Sequence, residues 1–380
     1  MEKQTKSTRK KILFVTRPLS PPWDEASKNF AYDLTKNMHD NTVTILTSEP
    51  DDNLPNNIHT EMIHMKSHGD FTTGEKIRSL LFQMVKRNDF DIYHFIFTPT
   101  KLNAFVIKHF IKNKKLKTVQ TVATLREDLY SDEELKKLMY GDIIVTYSKY
   151  AQTKLKSLGI KNITQIYPGF DLSNFMPTDK SMSLMKKWNF TKNDFVVTYP
   201  GEFTRLGATD LIIDTFLKLW NNPANAHIKY LCACRIKNNS DTKRKQEIIK
   251  KITAAGHIDK VHFTDTFSDM NAVYNMSDVV IFPVANMKGK FDVPLAMIEP
   301  YACKKPVIAS NIELFKEFSG DDINVIIPKS DKNALANAIL ELEKDEAKRK
   351  ELGENAFEFA HKTFNIEKIA QEYEKIYNEL

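Results

Sequence analysis

The chain has 380 residues, 42% apolar and 27% charged, a balance suited to soluble globular domains and a length too great for one of ordinary size. Collagen-like and low-complexity organisation are excluded for the bulk of the chain, and no apolar run approaches the roughly 18 residues of a membrane span. The formal charge of +6 sits wholly in residues 1–180, which hold 27 basic and 21 acidic residues against 28 of each in the remainder. No zinc-finger, RGG or helix-turn-helix pattern accompanies that surplus, so nucleic acid is not the expected partner. Three cysteines make no disulfide framework and point to a reducing cytoplasm.

The first residues are basic and then apolar, but the apolar run stops at Thr16 before Arg17 and Pro18. They read as a tail feeding a first strand, not as a signal peptide. Short β-branched runs then alternate with helical stretches. Strands are expected at 12–16, 43–47, 92–97, 118–123, 143–147 and 163–167. A second series is expected at 195–199, 228–232, 261–263, 279–282, 307–309 and 324–327. Most are continuous apolar runs, the mark of parallel strands buried on both faces. Between them Phe30, Leu34 and Met38 recur every four residues, as do Ile77, Leu81 and Val85, so both segments are amphipathic helices. Two such series imply an α/β protein of two doubly wound, Rossmann-like domains. The break falls in residues 167–177 (YPGFDLSNFMP), where two prolines and a glycine interrupt the pattern. The expected division is residues 1–170 and 178–362. The closing amphipathic helix, 366–380, carries Ile369, Tyr373, Ile376 and Tyr377 and is expected to return to the first domain.

Open α/β sheets bind ligands beyond the carboxyl ends of their strands, so the loops leaving the strands matter most. Residues 17–27 (RPLSPPWDEAS) bring Asp24 and Glu25 before a helix, where Asp24 suits an N-cap. Residues 199–207 (YPGEFTRLG) hold Arg205 between Gly201 and Gly207, and an arginine fork there suits phosphate. Residues 282–299 (FPVANMKGKFDVPLAMIE) carry Lys288, Lys290 and Asp292, then Pro294 at an expected first helical position, with Glu299 five residues on. Other signals are weak. Asp89-Phe90-Asp91 precedes a strand instead of following one. Cys232 and Cys234 read as a packed pair, and His64 with His68 lacks a third ligand. No Walker loop, Gly-x-Ser-x-Gly elbow or Gly-x-Gly-x-x-Gly is present.

The order of these motifs resembles the retaining family-4 glycosyltransferases of GT-B fold. The resemblance rests on residues 142–148 (DIIVTYS), 166–177 (IYPGFDLSNFMP), 261–264 (VHFT), 277–283 (SDVVIFP) and 298–309 (IEPYACKKPVIA). It implies two Rossmann-like domains facing each other across a cleft, with acceptor on the first and nucleotide sugar on the second. Carried over by position, Glu299 matches the glutamate that holds the donor ribose, and Arg205 and Gly201 lie in the loop that grips the diphosphate. Pro294, Leu295 and Ala296 match the turn against donor phosphates and sugar, and Lys290 stands near it. The chain departs from the pattern in several places. Asp24-Glu25-Ala26-Ser27 replace a glycine pair, the first paired glutamate falls on Phe291 beside Asp292, and Glu202 takes an arginine position. Ala123 stands for a histidine, and Lys304 for a glycine.

The expected activity is transfer of a sugar, with retention and without metal or cofactor, from a nucleotide diphosphate sugar to a glycan, lipid-linked or small-molecule acceptor. Arg205 and Asp292 are the catalytic candidates, Asp292 by orienting the donor sugar, with Asp24 and Glu25 on the acceptor side. A catalytically silent partner of another transferase, or an epimerase or phosphorylase on the same fold, remain the alternatives. Residues 101–120 contain six lysines and no acid, with Phe105, Val106, His109 and Phe110 opposite, and are expected to form a helix resting on anionic lipid at the cytoplasmic membrane face.

Overall fold

The computed structural model describes residues 9–21, 25–65, 72–265, 267 and 269–380. Two parallel sheets, one of seven strands and one of six, are flanked by helices. The chain clusters into two units. The first is Met1–Asp171, Gly289–Val293 and Phe364–Leu380, and the second is Leu172–Lys288 and Pro294–Thr363.

The first sheet holds β1 (Lys11–Val15), β2 (Thr42–Leu46), β3 (Ile58–Glu61), β4 (Ile92–Ile96), β5 (Lys117–Val122), β6 (Ile143–Thr146) and β7 (Ile163–Gln165). Their order is β3-β2-β1-β4-β5-β6-β7, all parallel, so the winding reverses between β1 and β4. Its helices are α1 (Ala26–Lys36), α2 (Thr73–Lys86), α3 (Lys101–Val106), α4 (Asp132–Leu138) and α5 (Lys149–Ser157). Central strand β4 is buried along its whole length and β5 at every residue but the first, as parallel strands covered on both faces must be. The edge strand β3 was not foreseen. Only Ile58 of its four residues is buried, so no apolar run marks it.

The second unit begins with α6 (Met182–Lys187). Its sheet holds β8 (Phe195–Tyr199), β9 (Ile228–Cys232), β10 (Val261–Phe263), β11 (Val279–Phe282), β12 (Val307–Ser310) and β13 (Val325–Ile327). The order is β10-β9-β8-β11-β12-β13, again parallel, with the reversal between β8 and β11. Around it lie α7 (Thr209–Trp220), α8 (Asn239–Ala254), α9 (Met270–Met276), α10 (Leu295–Ala302), α11 (Lys332–Lys344) and α12 (Glu346–Thr363). The three free cysteines are buried in this unit. Lys304, where the resembling family has glycine, sits at φ 56°, a left-handed conformation that glycine adopts without strain.

The final helix, α13 (Ile366–Glu379), packs on α1 in the first unit. Tyr373 and Tyr377 are fully buried there, and Glu374 accepts the N–H groups of His39 and Asp40 at 2.8 and 2.6 Å. Tyr377 reaches His94 of β4, whose ring is locked on both sides. Its Nδ1 lies 2.7 Å from the Tyr377 hydroxyl, and its Nε2 lies 2.7 Å from Thr121 Oγ1. Burial pushes the His94 pKa down to about 3, because a charged ring there would lose its hydration.

Two expectations for helices need correction. The helix expected over 101–120 is shorter, since α3 passes into a π-helical turn, Ile107–Ile111, and β5 already begins at Lys117. Three of its lysines turn sideways: Lys101 pairs with Glu134, Lys108 donates to the Lys137 carbonyl, and Lys112 pairs with Asp142. The N-cap of α1 is Glu25, which makes no side-chain capping bond; Asp24 lies outside the described residues, as does His68.

Candidate functional site

The reversal between β8 and β11 opens a crevice at the carboxyl edge of the second sheet, and the loops leaving those two strands carry the candidate residues. The loop after β8 is shaped by Gly201. A Cβ added there would fall 2.0 Å from Cζ of Tyr199, so only glycine lets the chain turn over that buried ring. Gly207 closes the loop at φ 66° before α7. Between them Arg205 is exposed.

Glu202 is buried in the same loop, and its carboxylate pairs with Lys237 Nζ at 2.5 Å. Lys237 leaves the neighbouring strand β9, and its own N–H donates to the buried Asp241 at 3.1 Å. Thr204 Oγ1 donates to the other oxygen of Asp241 at 3.1 Å. The two loops are thereby tied together. Lys237 was missed from the sequence, although a glutamate at a position where the family places arginine demanded a cation nearby.

The loop after β11 ends at Pro294, which is the N-cap of α10 and not its first helical residue. Its carbonyl accepts the N–H of Met297 at 2.7 Å and of Ile298 at 3.2 Å. The N–H groups of Leu295 and Ala296 therefore have no acceptor within the helix, and they carry the positive end of its dipole. One turn on, Glu299 is half-buried, and its Oε2 accepts the Tyr274 hydroxyl at 2.6 Å. Burial raises the Glu299 pKa to about 7, while the tyrosine bond opposes the rise. The helix dipole alone predicted a carboxyl that stays ionised. The loss of hydration outweighs it.

Arg205, Gly201, Pro294, Leu295, Ala296 and Glu299 are thus gathered in the second unit on two loops of one sheet edge. Asp292 and Lys290 are not among them, since Gly289–Val293 packs with the first unit. There the buried Asp292 carboxylate accepts the Leu125 N–H at 3.1 Å, and its own N–H donates to the Ala123 carbonyl at 3.3 Å. Phe291 lies 4.9 Å from the Tyr147 ring, centroid to centroid. Nothing in the sequence signalled that this short stretch would leave the unit of its flanking elements. Glu25, also in the first unit, pairs with Arg17. Among the described residues no three His, Cys, Asp or Glu side chains converge as a metal site would need, and no helix is long and apolar enough to cross a membrane.

Residues 181–359, the span that holds both loops, match the family described as Glycosyl transferases group 1. The second unit is thus similar to group 1 glycosyltransferase domains. N-acetyl-alpha-D-glucosaminyl L-malate synthase of Bacillus anthracis is 22% identical over 312 residues, 79% of this chain and 78% of that protein. Among solved structures, Anabaena Alr3699/HepE in complex with UDP and glucose superimposes with a TM-score of 0.76 at 16% identity, covering 98% of this chain and all of that one. Sucrose-phosphate synthase of Thermosynechococcus elongatus gives 0.76 at 18% identity, over 98% and 99% of the two chains. The fold is therefore that of the GT-B glycosyltransferases, and the domain match supports glycosyltransferase activity.

Proposed function

We propose that the protein transfers a sugar from a nucleotide diphosphate sugar with retention of configuration, in the manner of family-4 enzymes and without a metal ion or cofactor. The observation that carries the reading is Glu299, a carboxylate withdrawn from water, held by one tyrosine and set one turn into a helix that opens at the switch point of a parallel sheet. Ribose offers two adjacent hydroxyls, and a carboxylate so placed accepts from both. The similar Anabaena protein is solved with UDP and glucose, which favours a uridine nucleotide as the first donor to try.

Negative charge grows on the diphosphate as the glycosidic bond breaks. The N–H groups of Leu295 and Ala296 are fixed donors that meet such charge without reorganising, which lowers the barrier, and Arg205 adds a cation from the loop after β8. Glu25, with Asp24, takes hydrogen bonds from a glycan, lipid-linked or small-molecule acceptor. In this reading the first unit is the acceptor domain and the second the donor domain.

The test is turnover of UDP-sugars by the purified chain, with the anomeric configuration of the product read by NMR. Retention in the product supports the proposal, and inversion rejects its stereochemical part. Tight UDP binding with neither transfer nor hydrolysis of any donor would instead favour a silent binding partner of another transferase.

A further inference from the structure

Helix α2 turns its main apolar stripe away from the core. Its apolar stripe, Ile77, Leu81 and Val85, is 52%, 55% and 77% exposed, whereas Glu75, Ser79 and Gln83, at the same spacing on the opposite face, are buried. Leu80 and Phe82 pack in part against the apolar core, and the buried polar groups beside them are satisfied. Glu75 accepts the Met65 N–H at 3.2 Å and hydrogen-bonds His64 at 2.6 Å, Gln83 donates to the Ser79 carbonyl at 3.0 Å, and Tyr93 donates to the Gln83 carbonyl at 2.8 Å. The bonds to His64, Met65 and Tyr93 fix the rotation of the helix, so the apolar stripe is held toward solvent.

Beside α2 packs the π-helical turn Ile107–Ile111, and there and in α3 the exposed apolar residues continue. Leu102, Phe105 and Phe110 are each at least half exposed, and the two phenyl rings stand 6.3 Å apart. Arg87 follows α2 directly before β4, and Lys114 and Lys115 precede β5. β4 and β5 are parallel neighbours, so these three exposed cations lie along one edge of the sheet, where Asp89 is paired with Lys86 and Asp91 accepts the Lys11 N–H. Residues 101–117 contain no acidic side chain.

From this juxtaposition we infer that α2, α3 and the adjoining π-helical turn form a docking surface for an anionic lipid bilayer. A bilayer presents anionic headgroups over an apolar interior, which matches apolar side chains bordered by cations. A protein partner would have to supply both features from its own surface. The inference does not depend on the reading of Glu299 and its sheet edge.

Flotation with vesicles of phosphatidylcholine containing phosphatidylglycerol, and with phosphatidylcholine alone, tests it. The wild-type chain is expected to float with the anionic vesicles, weakly or not at all with the neutral ones, and less as salt rises. Leu81→Ser with Val85→Ser should lower vesicle affinity at least about tenfold, from the apolar area no longer buried. Both positions are exposed, so the melting temperature should hold. A second variant, Lys114→Glu with Lys115→Glu, should lose the preference for anionic vesicles. Failure of the wild type to bind anionic vesicles overturns the inference, as does a folded serine variant that binds them equally well. So does a concentration-dependent dimer that the serine substitutions abolish, for the surface would then be covered by a second copy of the chain.

Discussion

His94 in the first unit and Glu299 in the second are both titratable groups taken out of water, and burial shifts each toward neutrality, His94 down to about 3 and Glu299 up to about 7. They differ in what surrounds them. Both nitrogens of His94 are engaged, by Thr121 and Tyr377, in a fully enclosed setting that ties α13 to the sheet. Glu299 has a tyrosine on one oxygen and stands beside the open N-terminus of α10 at the carboxyl edge of a sheet. A shifted pKa alone marks either a structural clamp or a binding group. Position at the sheet edge and remaining acceptor capacity tell them apart.

The largest effect that separates them is on stability. His94→Ala should cost about 3–5 kcal/mol, since it opens a cavity and removes one hydrogen-bond partner from each of the buried Thr121 and Tyr377 hydroxyls. Tyr377→Phe should cost about 1–3 kcal/mol for one such bond. Denaturant melts would check both, and a change below 0.5 kcal/mol, roughly the effect of an ordinary surface substitution, would break the contrast. Glu299→Ala should instead leave the fold intact and weaken UDP binding by about 10- to 150-fold, the equivalent of about 1.5–3 kcal/mol for a hydrogen bond to a charged group. Arg205→Ala should depress donor turnover more than donor binding, because its load grows as the diphosphate departs. Steady-state kinetics with kcat and KM resolved would show this.

The pH dependence of stability should run in opposite directions. The unfolded chain binds a proton at His94 near 6.5 and the native one only near 3, so this contribution is full above 6.5 and is lost as pH falls toward 3. Glu299 binds its proton more tightly when folded, so its contribution is full below 4.5 and is lost as pH rises through about 7. Melts of His94→Leu and Glu299→Gln against wild type over that range should show slopes of opposite sign. The smallest effect is expected for Tyr274→Phe. Losing the donor at 2.6 Å disfavours the ionised carboxyl, so nucleotide affinity should fall by a few-fold at neutral pH and recover at higher pH.

The strand runs show how far the sequence could be read. Continuous apolar stretches located most central strands of both sheets, because parallel strands covered on both faces need no polar side, while β5, with buried Thr118, Gln120 and Thr121, was read from its β-branched residues. Edge strand β3 escaped for the converse reason. Periodicity found α1 and α2 equally well but could not orient them. Phe30 and Leu34 of α1 are buried, while the same spacing in α2 points outward. That orientation is set by hydrogen bonds to His64, Met65 and Tyr93, which come from other elements. At the candidate site the loops of Arg205 and Glu299 followed from strand order and proline and glycine placement. The Glu202–Lys237 pair and the packing of Asp292 with the first unit depend on contacts between segments far apart in the chain.

Calorimetric titration of UDP into the wild-type chain and Glu299→Gln across pH 6 to 8, a window spanning the Glu299 pKa of about 7, puts the central claim to its most direct test. Ribose hydroxyls must donate to an ionised carboxylate, so wild-type affinity should rise through about pH 7, with a proton released on binding below it. The glutamine variant should bind more weakly and lose that dependence. Equal affinity in the two folded proteins, with the same pH profile, would contradict the account and place the nucleotide elsewhere.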